Sequence, residues 1–454
     1  MNDFFSTLNR IGERWFWVLR FGFWVPSAEP KTQNPNPKTN FGNAVHTWIR
    51  CCGVSVLCAV TSTIAHAAAP AGHFPTWKHL SSANGDLPKP NGGKNQTSLL
   101  VLDVDRDGLN DIVVAERSAA PAVVWLRRDR SGWTRHVIDD GKAPIAAGGT
   151  FGDVDGDGDL DVVFGSSGAG SNVWWWENPL PRGDPKTPWA RHVITNTQKG
   201  QHHDQLAGDF LGTGRNQVVS WFQGAGELSL FTASGNPREA TGWSLITVAT
   251  GLKRAEGLAA GDIDGDGQRD IVGGGRWFKY LGGSKFATHL IDDAQTPGRA
   301  EVGDLVKGGR PEVVMVIGDG IGRLKWYECA GDPMQTDAWR AHDLLGIDVR
   351  QGHSLQIADI NADGHPDIFC AEMTQLANAP ANPQSKAWIF YGDSQGNFTK
   401  TEIATGIDFH ETKVVDADGD GRLDIVSKPF VWETPRIDVW LNQGPTGMPK
   451  KSNE

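Results

Sequence analysis

Five short stretches of this 454-residue chain carry oxygen ligands at a spacing suited to a hard cation. They are Asp103, Asp105, Asp107 and Asp111; Asp153, Asp155, Asp157 and Asp161; Asp262, Asp264, Asp266 and Asp270; Asp359, Asn361, Asp363 and Asp367; and Asp416, Asp418, Asp420 and Asp424. In each set the ligands fall at the first, third, fifth and ninth positions of a tight loop. A glycine at the sixth position permits the sharp turn, and a backbone carbonyl near the seventh adds a further oxygen. The chemistry implied is structural Ca2+ binding at about five sites, with Asp-Gly turns free of metal as the alternative. Two further copies, opening at Asp209 and Asp304, lack these carboxylates and are expected to hold no calcium.

A second pattern appears six residues before the first aspartate of each copy. The residues there are Thr97, Ala147, His203, Glu256, Gly298, His353 and His410. The chain has 13 histidines, so three in one register is a concentration that asks for a reason. Imidazoles with one carboxylate suit a transition metal such as Zn2+ or Mn2+ better than calcium. His203, His353 and His410 are the expected ligands, with Glu256 as fourth ligand or catalytic base and Lys413 one strand step further in. Three ligands plus one optional carboxylate leave a coordination position for substrate. Arg254, Arg299 and Arg350 are expected to bind an anionic or polyhydroxylated substrate. The same ring also fits a polar channel lining filled with ordered water.

These residues must be held by a repeating element. The seven copies recur every 42 to 57 residues, and no loop is followed by a helical pattern. Each leads into a run such as Ile112 to Ala115, then into a segment marked by tryptophan: Trp125, Trp174 to Trp176, Trp221, Trp277, Trp326, Trp388 and Trp440. A fourth segment reads Trp-x-x-His-Val-Ile at Trp133 to Ile138 and at Trp189 to Ile194, with variants at Phe286 to Ile291 and Trp339 to Leu344. Strand-type runs separated by Gly and Asp clusters read as all-β. Seven units of this kind predict a seven-bladed β-propeller with four-stranded blades. His136, His192, His289 and His342 are expected to pack within blades. The last repeat stops after its third strand. Trp77, Lys78, His79 and Leu80 match the fourth-strand pattern, so the N-terminal strand is expected to complete blade seven and close the ring.

Phe151 and Gly152 before Asp153, with the recurring Asp-Gly-Asp-Gly loops, resemble the FG-GAP or VCBS repeat of integrin α-subunit propellers and of many bacterial secreted proteins. The resemblance implies a calcium-stabilised propeller over residues 70–447, after a leader at 1–69 and before a tail at 448–454. It says little about activity, because one propeller frame hosts adhesins, lectins, lyases and oxidoreductases. The plan is also similar to that of the aldos-2-ulose dehydratase family, whose propeller carries calcium-type loops and a channel metal.

The remaining features bound the function. Arg50, the apolar run Cys51 to Val60 and Ala65-His66-Ala67 read as a secretory signal peptide cut near Ala67 to Ala69, which predicts a secreted or periplasmic protein with no transmembrane domain in its mature chain. The stretch Trp15 to Val25 is broken by Arg20 and too short to span a bilayer. Cys329 and Cys370 remain after the leader and are expected as apolar thiols or as a disulfide. The net charge of −11 is carried largely by the repeated loops, and no basic stripe suggests nucleic acid. Two functions follow: a monomeric, metal-dependent lyase or dehydratase acting on a sugar or sugar acid in the channel, or a non-catalytic carbohydrate-binding or adhesive propeller using Trp174, Trp175 and Trp176 as a stacking surface.

Overall fold

The second strand of each repeat is mostly apolar and buried along its length because it is covered on both faces. Asp111–Glu116, Gln217–Phe222 and Glu312–Ile317 are buried at every position. An alternating pattern would suit a strand with one wet face; a continuous one suits a strand between two packed layers. The fourth strands are wetter instead, as in Ala190–Thr195, whose first two residues are exposed and whose last two are buried.

The computed structural model describes residues 74–445 except 169, 196, 198, 199, 376–380 and 432. The expected leader, its cleavage site and the tail lie outside the described residues. Seven four-stranded antiparallel sheets follow one another along the chain. Blade one is Gln96–Leu102, Asp111–Glu116, Val123–Asp129 and Gly132–Asp139. Blades two to six begin with the inner strands Thr150–Gly152, His202–Gly208, Ala259–Gly261, Gly298–Gly303 and Ser354–Ala358. Blade seven runs His410–Val415, Asp424–Lys428 and Asp438–Pro445, and its fourth strand is Pro75–Ser81 from the N-terminus. His79 there pairs with Trp440 and Leu80 with Val439. The expected closure is therefore observed. Helix among the described residues is confined to three short 3-10 turns.

The core is divided among the seven blade interfaces. Side chains alternate across each second strand, so Val113 and Ala115 join Val162 and Phe164 of blade two, while Ile112 and Leu99 join Val426 and Val439 of blade seven. Trp277 packs toward Met315 and Tyr327, and Trp326 toward Ile368 and Trp388. Five histidines of fourth strands stack on the tryptophans opposite them. The pairs are Trp125–His136, Trp175–His192, Trp277–His289, Trp326–His342 and Trp440–His79, with ring centroids 4.0–4.7 Å apart. The expected packing role of His136, His192, His289 and His342 holds.

Two expectations are corrected. Trp221 lies on the second strand of blade three, not the third, which is Glu227–Ala233. Its indole N–H reaches the Gly257 carbonyl at 3.0 Å and ties blade three to the turn entering blade four. Trp174, Trp175 and Trp176 are not a stacking surface. All three are buried, because the third strand is covered by the neighbouring blades. Cys329 and Cys370 are both free thiols.

Candidate functional site

The loops at one end of the blades are shaped by their own hydrogen bonds. In all five intact copies the sixth-position glycine N–H donates to the first aspartate at 2.8–3.1 Å. Gly108, at φ 87°, shows why only glycine sits there easily. The ninth-position carboxylate accepts the backbone N–H of the second position: Asp111 from Val104, Asp161 from Val154, Asp270 from Ile263, Asp367 from Ile360 and Asp424 from Ala417. The degenerate copies do the same without calcium-type carboxylates, with Gln217 accepting from Phe210 and Glu312 from Leu305. The ninth position is therefore a backbone cap in every repeat. Burial pushes Asp111 and Asp161 up to about 8, and Asp270, Asp367 and Asp424 to about 7.

Carboxylates of the first, third and ninth positions come together in three of these loops. Asp103, Asp105 and Asp111 converge, as do Asp153, Asp155 and Asp161, and Asp262, Asp264 and Asp270. Asp105 Oδ1 and Asp264 Oδ1 are buried without a hydrogen-bond partner. Basic side chains partly neutralise these loops. Arg127 pairs with Asp105 and Asp107, Lys279 with Asp264 and Asp266, Arg238 with Asp155, and Arg422 with Asp420.

At the opposite ends of the inner strands a buried ionic cluster fills the channel. His203, Glu256, His353 and His410 are all buried there. The next register position contributes as much: Asp204, Arg299 and Glu411 stand five residues before their loop aspartates. Asp204 and Glu411 have φ values of 50° and 61°. Gly148 and Gly257 occupy the same register in blades two and four, with φ 82° and 73°. The left-handed step coincides with register shifts between His203 and Gln205 and between His410 and Lys413. A bulge of this kind re-aims one residue, so two consecutive side chains reach the channel. The cost of holding a non-glycine residue there is about 1 kcal/mol.

The hydrogen bonds assign the histidines. The Arg299 guanidinium pairs with Asp204 and, 3.0 Å away, with Glu411. It also donates to His353 Nδ1 at 2.9 Å. Since arginine only donates, His353 carries its proton on Nε2, which faces Asp319 Oδ1 at 3.0 Å. His410 Nδ1 lies 2.5 Å from the Lys428 ammonium, and its ring stacks on Phe430 and beside His353. His203 is set differently. Its Nδ1 meets Asp204 Oδ2 at 2.9 Å, and although burial opposes it, Asp204 pushes the imidazole toward its charged form; in the neutral ring this contact puts the proton on Nδ1, as in histidines oriented by a carboxylate behind a metal.

Glu256 joins the two halves. It groups with His203 and Asp204 on one side and with Asp319 and His353 on the other. Its Oε1 accepts the Asp319 N–H at 2.8 Å, while Oε2 is buried with no partner. Burial pushes the Glu256 carboxyl up. Burial acts the same way on Asp204, but Arg299 and His203 outweigh it and hold that carboxyl far below the usual range. Asp319 is likewise held low against burial, by His353. Burial, then Lys428, press His410 well below the ordinary imidazole value, and burial brings Lys428 down to about 7.

Residues 103–164 match the FG-GAP-like repeat, which spans the first two of these loops. The chain carries an FG-GAP-like repeat. No curated protein matches it in sequence. Among solved structures it is similar to a streptogramin B lyase (10% identity over 81% of this chain and 98% of that one, TM-score 0.50). It is also similar to BBS1N from a complex with ARL6DN (10%, 83% and 99%, 0.49) and to the V. cholerae biofilm matrix protein Bap1 (10%, 77% and 77%, 0.37). At this identity the likeness concerns the fold alone.

The FG-GAP-like frame places the other expected residues unevenly. Arg299 is not in a loop awaiting substrate. It begins an inner strand, is buried, and has its guanidinium taken by three partners. Arg254 is exposed on the ring face. Arg350 ends the fourth strand of blade five, where its N–H donates to Glu372. Lys413 lies deeper, in a channel chamber of about 80 Å³ shared with Glu301, Gln356 and Glu411. Asp319 and Lys428 are members of the cluster that lie outside the inner strands and that the sequence pattern did not indicate. The glycines at 148 and 257 mark the register of Asp204 and Glu411, which stand where other repeats need glycine.

Glu301 gives this chamber a measurable signature. Burial pushes its carboxyl up to about 7, while Lys413 and the Gln356 side chain, 2.5 Å away, favour ionisation. Between the unfolded value near 4.5 and this folded value, the native state binds the extra proton. Stability from this group is thus present below about pH 4.5 and lost as pH rises through 7. Glu301→Gln should raise the melting temperature at pH 8 and leave it nearly unchanged at pH 4. Equal effects at both pH values would exclude a protonated Glu301.

Proposed function

We propose that the protein is a metal-dependent enzyme acting at the ring end of its channel on a sugar or sugar acid, by proton abstraction and elimination. The observation that carries this reading is the buried, unpartnered Oε2 of Glu256 in a group with His203 and Asp204. An unsatisfied carboxylate oxygen at such depth is costly unless a cation or proton meets it. His203 and Glu256 would hold the metal, with Asp204 the third group within reach of both. One imidazole with two carboxylates suits Mn2+, Fe2+ or Zn2+. A divalent ion bound there supplies positive charge that polarises a substrate carbonyl or carboxylate.

The other cluster residues position and move protons. Arg299 and Asp319 fix the His353 ring from both sides, so its Nε2–H is presented in one orientation. Lys428 does the same for His410 through Nδ1. These two imidazoles are therefore read as proton carriers rather than ligands. Asp204 orients His203 and couples it to Arg299. Lys413, in the chamber below, acts on the cluster through charge.

At the other end of the blades we propose calcium in the five intact loops, supported by the convergent first-, third- and ninth-position carboxylates of the loops at Asp103, Asp153 and Asp262. The chain is proposed to work outside the cytoplasm, on the strength of the leader sequence. No helix among the described residues is long and apolar enough to cross a membrane.

Elemental analysis tests both metal assignments. Protein purified without added metal should contain one transition-metal ion per chain, and up to about five calcium ions after exposure to Ca2+. Glu256→Gln should lose the transition metal and keep the calcium. Absence of any transition metal from the wild-type protein, including after reconstitution, removes the enzyme reading.

A further inference from the structure

Of the cluster residues, Asp319 is the one that solvent reaches. Its side chain is 37% exposed, against 2% for His353 and 7% for His203. It forms part of the wall of a cleft of about 550 Å³ between blades four and five. Anything small that approaches the cluster from this side meets Asp319 first.

The rest of the cleft has a definite chemistry. Lys253, Arg254, Arg323 and Lys325 line it with Asp319 as the single carboxylate. Two of these cations are already used: Arg323 pairs with Asp343 and Asp348, and Lys325 with Asp292. Lys253 and Arg254 are exposed and have no ion-pair or hydrogen-bond partner among the described residues. They sit in a turn pinned by Leu252 N–H to the Gly226 carbonyl at 2.9 Å and by Ala255 N–H to the Leu252 carbonyl at 3.2 Å. Arg254 is held at φ 64°, a conformation that a residue with a Cβ avoids unless its surroundings enforce it. The same turn delivers Glu256 two residues later.

A further group is built into the wall. Gln295 is 2% exposed, its Nε2 donates to the Arg323 carbonyl, and its Oε1 is buried with no hydrogen bond. That oxygen can only be satisfied by a donor, such as a hydroxyl. Ile321 and Pro297 add an apolar wall, with Ile321 60% exposed. Two unpaired cations, one unpaired acceptor and an apolar face describe a molecule with a carboxylate, a hydroxyl and a C–H face.

We propose that the cleft between blades four and five binds a sugar acid, with its carboxylate on Lys253 and Arg254 and a hydroxyl on Gln295 Oε1. This deepens the enzyme reading and rests on it for the reaction, although binding can be measured without turnover. An arginine fork favours carboxylate through paired N–H donors, and the neighbouring lysine adds a point charge.

The test is calorimetric titration of D-glucuronate, D-glucose and inorganic phosphate into the wild-type protein and into Lys253→Gln/Arg254→Gln. The two side chains are exposed, so the double variant should fold. Glucuronate should bind the wild type at millimolar level, glucose should show no saturable binding, and the double variant should bind glucuronate about tenfold more weakly or worse. Gln295→Leu should weaken glucuronate and leave phosphate unchanged. No glucuronate binding, equal binding by the double variant, equal binding of glucose, or phosphate binding as tightly as glucuronate would each overturn the assignment. Elemental analysis separates this from the enzyme reading: a metal-free protein that still binds glucuronate through Lys253 and Arg254 keeps the cleft and loses the chemistry, whereas a metal-loaded protein that does not bind it loses the cleft alone.

Discussion

Arg299→Met is expected to lower the melting temperature by about 4–6 °C at neutral pH, even though methionine fills much of the same space. The reason lies in what arginine leaves behind. Its guanidinium holds Asp204 and Glu411 from opposite walls of the channel and donates to His353. All three partners are buried. Removing one member of a buried ionic network costs about 3–5 kcal/mol, mostly because the remaining charges are left unpaired. A domain of this size unfolds with about 0.8 kcal/mol per kelvin of entropy, which converts that loss into the stated shift. Both abandoned carboxylates are also held in the left-handed region, so they cannot swing away without remaking the bulges at His203 and His410. Arg299→Met combined with Asp204→Asn and Glu411→Gln should recover part of the loss, because no unpaired charge then remains. Differential scanning calorimetry checks both variants. A shift below about 1 °C for Arg299→Met would show that the channel is wet enough to solvate the two carboxylates.

The frame of this protein was legible because its strands repeat a short grammar. A middle strand between two packed blades must be apolar over most of its length, and the loop before it must turn on glycine. Ile112 to Ala115 and Gly108 obey both constraints, so the blade count followed from spacing. The Trp–His pairs were legible for the same reason, since a register fixed by hydrogen bonds puts Trp125 opposite His136 and Trp440 opposite His79. The channel was harder. Strict alternation sends one residue in two toward the axis, so a single register points to His203, Glu256, His353 and His410 and leaves the place of their neighbours open. The bulges break that alternation and bring Asp204 and Glu411 in as well. Asp319 lies in a turn after the second strand of blade five, outside any register of the inner strands. Lys428 comes from a second strand, where a run of buried apolar residues conceals one cation. The ninth-position aspartates carry two roles that the sequence alone does not separate. Their spacing suits a ligand, yet Gln217 performs the same capping with an amide, so backbone geometry alone accounts for an acceptor at that position.

The largest effect on folding is expected from the strand at Pro75–Ser81. It is the fourth strand of blade seven and the only element that joins the two ends of the described chain in one sheet. Pairing runs from Pro75 opposite Pro445 to Ser81 opposite Asp438. Beyond the backbone bonds, it serves two interfaces. Leu80 packs on the core between blades seven and one, while Phe74 and Trp77 pack on the core between blades six and seven. His79 stacks on Trp440 at 4.5 Å and reaches Asp438 Oδ1 at 3.0 Å. These side chains are partly buried, so together with the stacked pair they contribute about 4–6 kcal/mol, before the ladder is counted. A chain that begins at Ser82 should therefore melt at least about 5–8 °C below one that begins at Pro70. It should also self-associate, because the third strand of blade seven becomes an open edge with unpaired backbone groups and exposed Trp440. A peptide covering residues 74 to 86, added in excess, should dock on that edge and restore part of the melting temperature, since binding to the native state alone stabilises it by mass action. Sedimentation and thermal melts with and without the peptide check the expectation. If the shortened chain stays monomeric and melts with the longer one, the ring is held by its blade interfaces alone and the strand is a covering rather than a clasp.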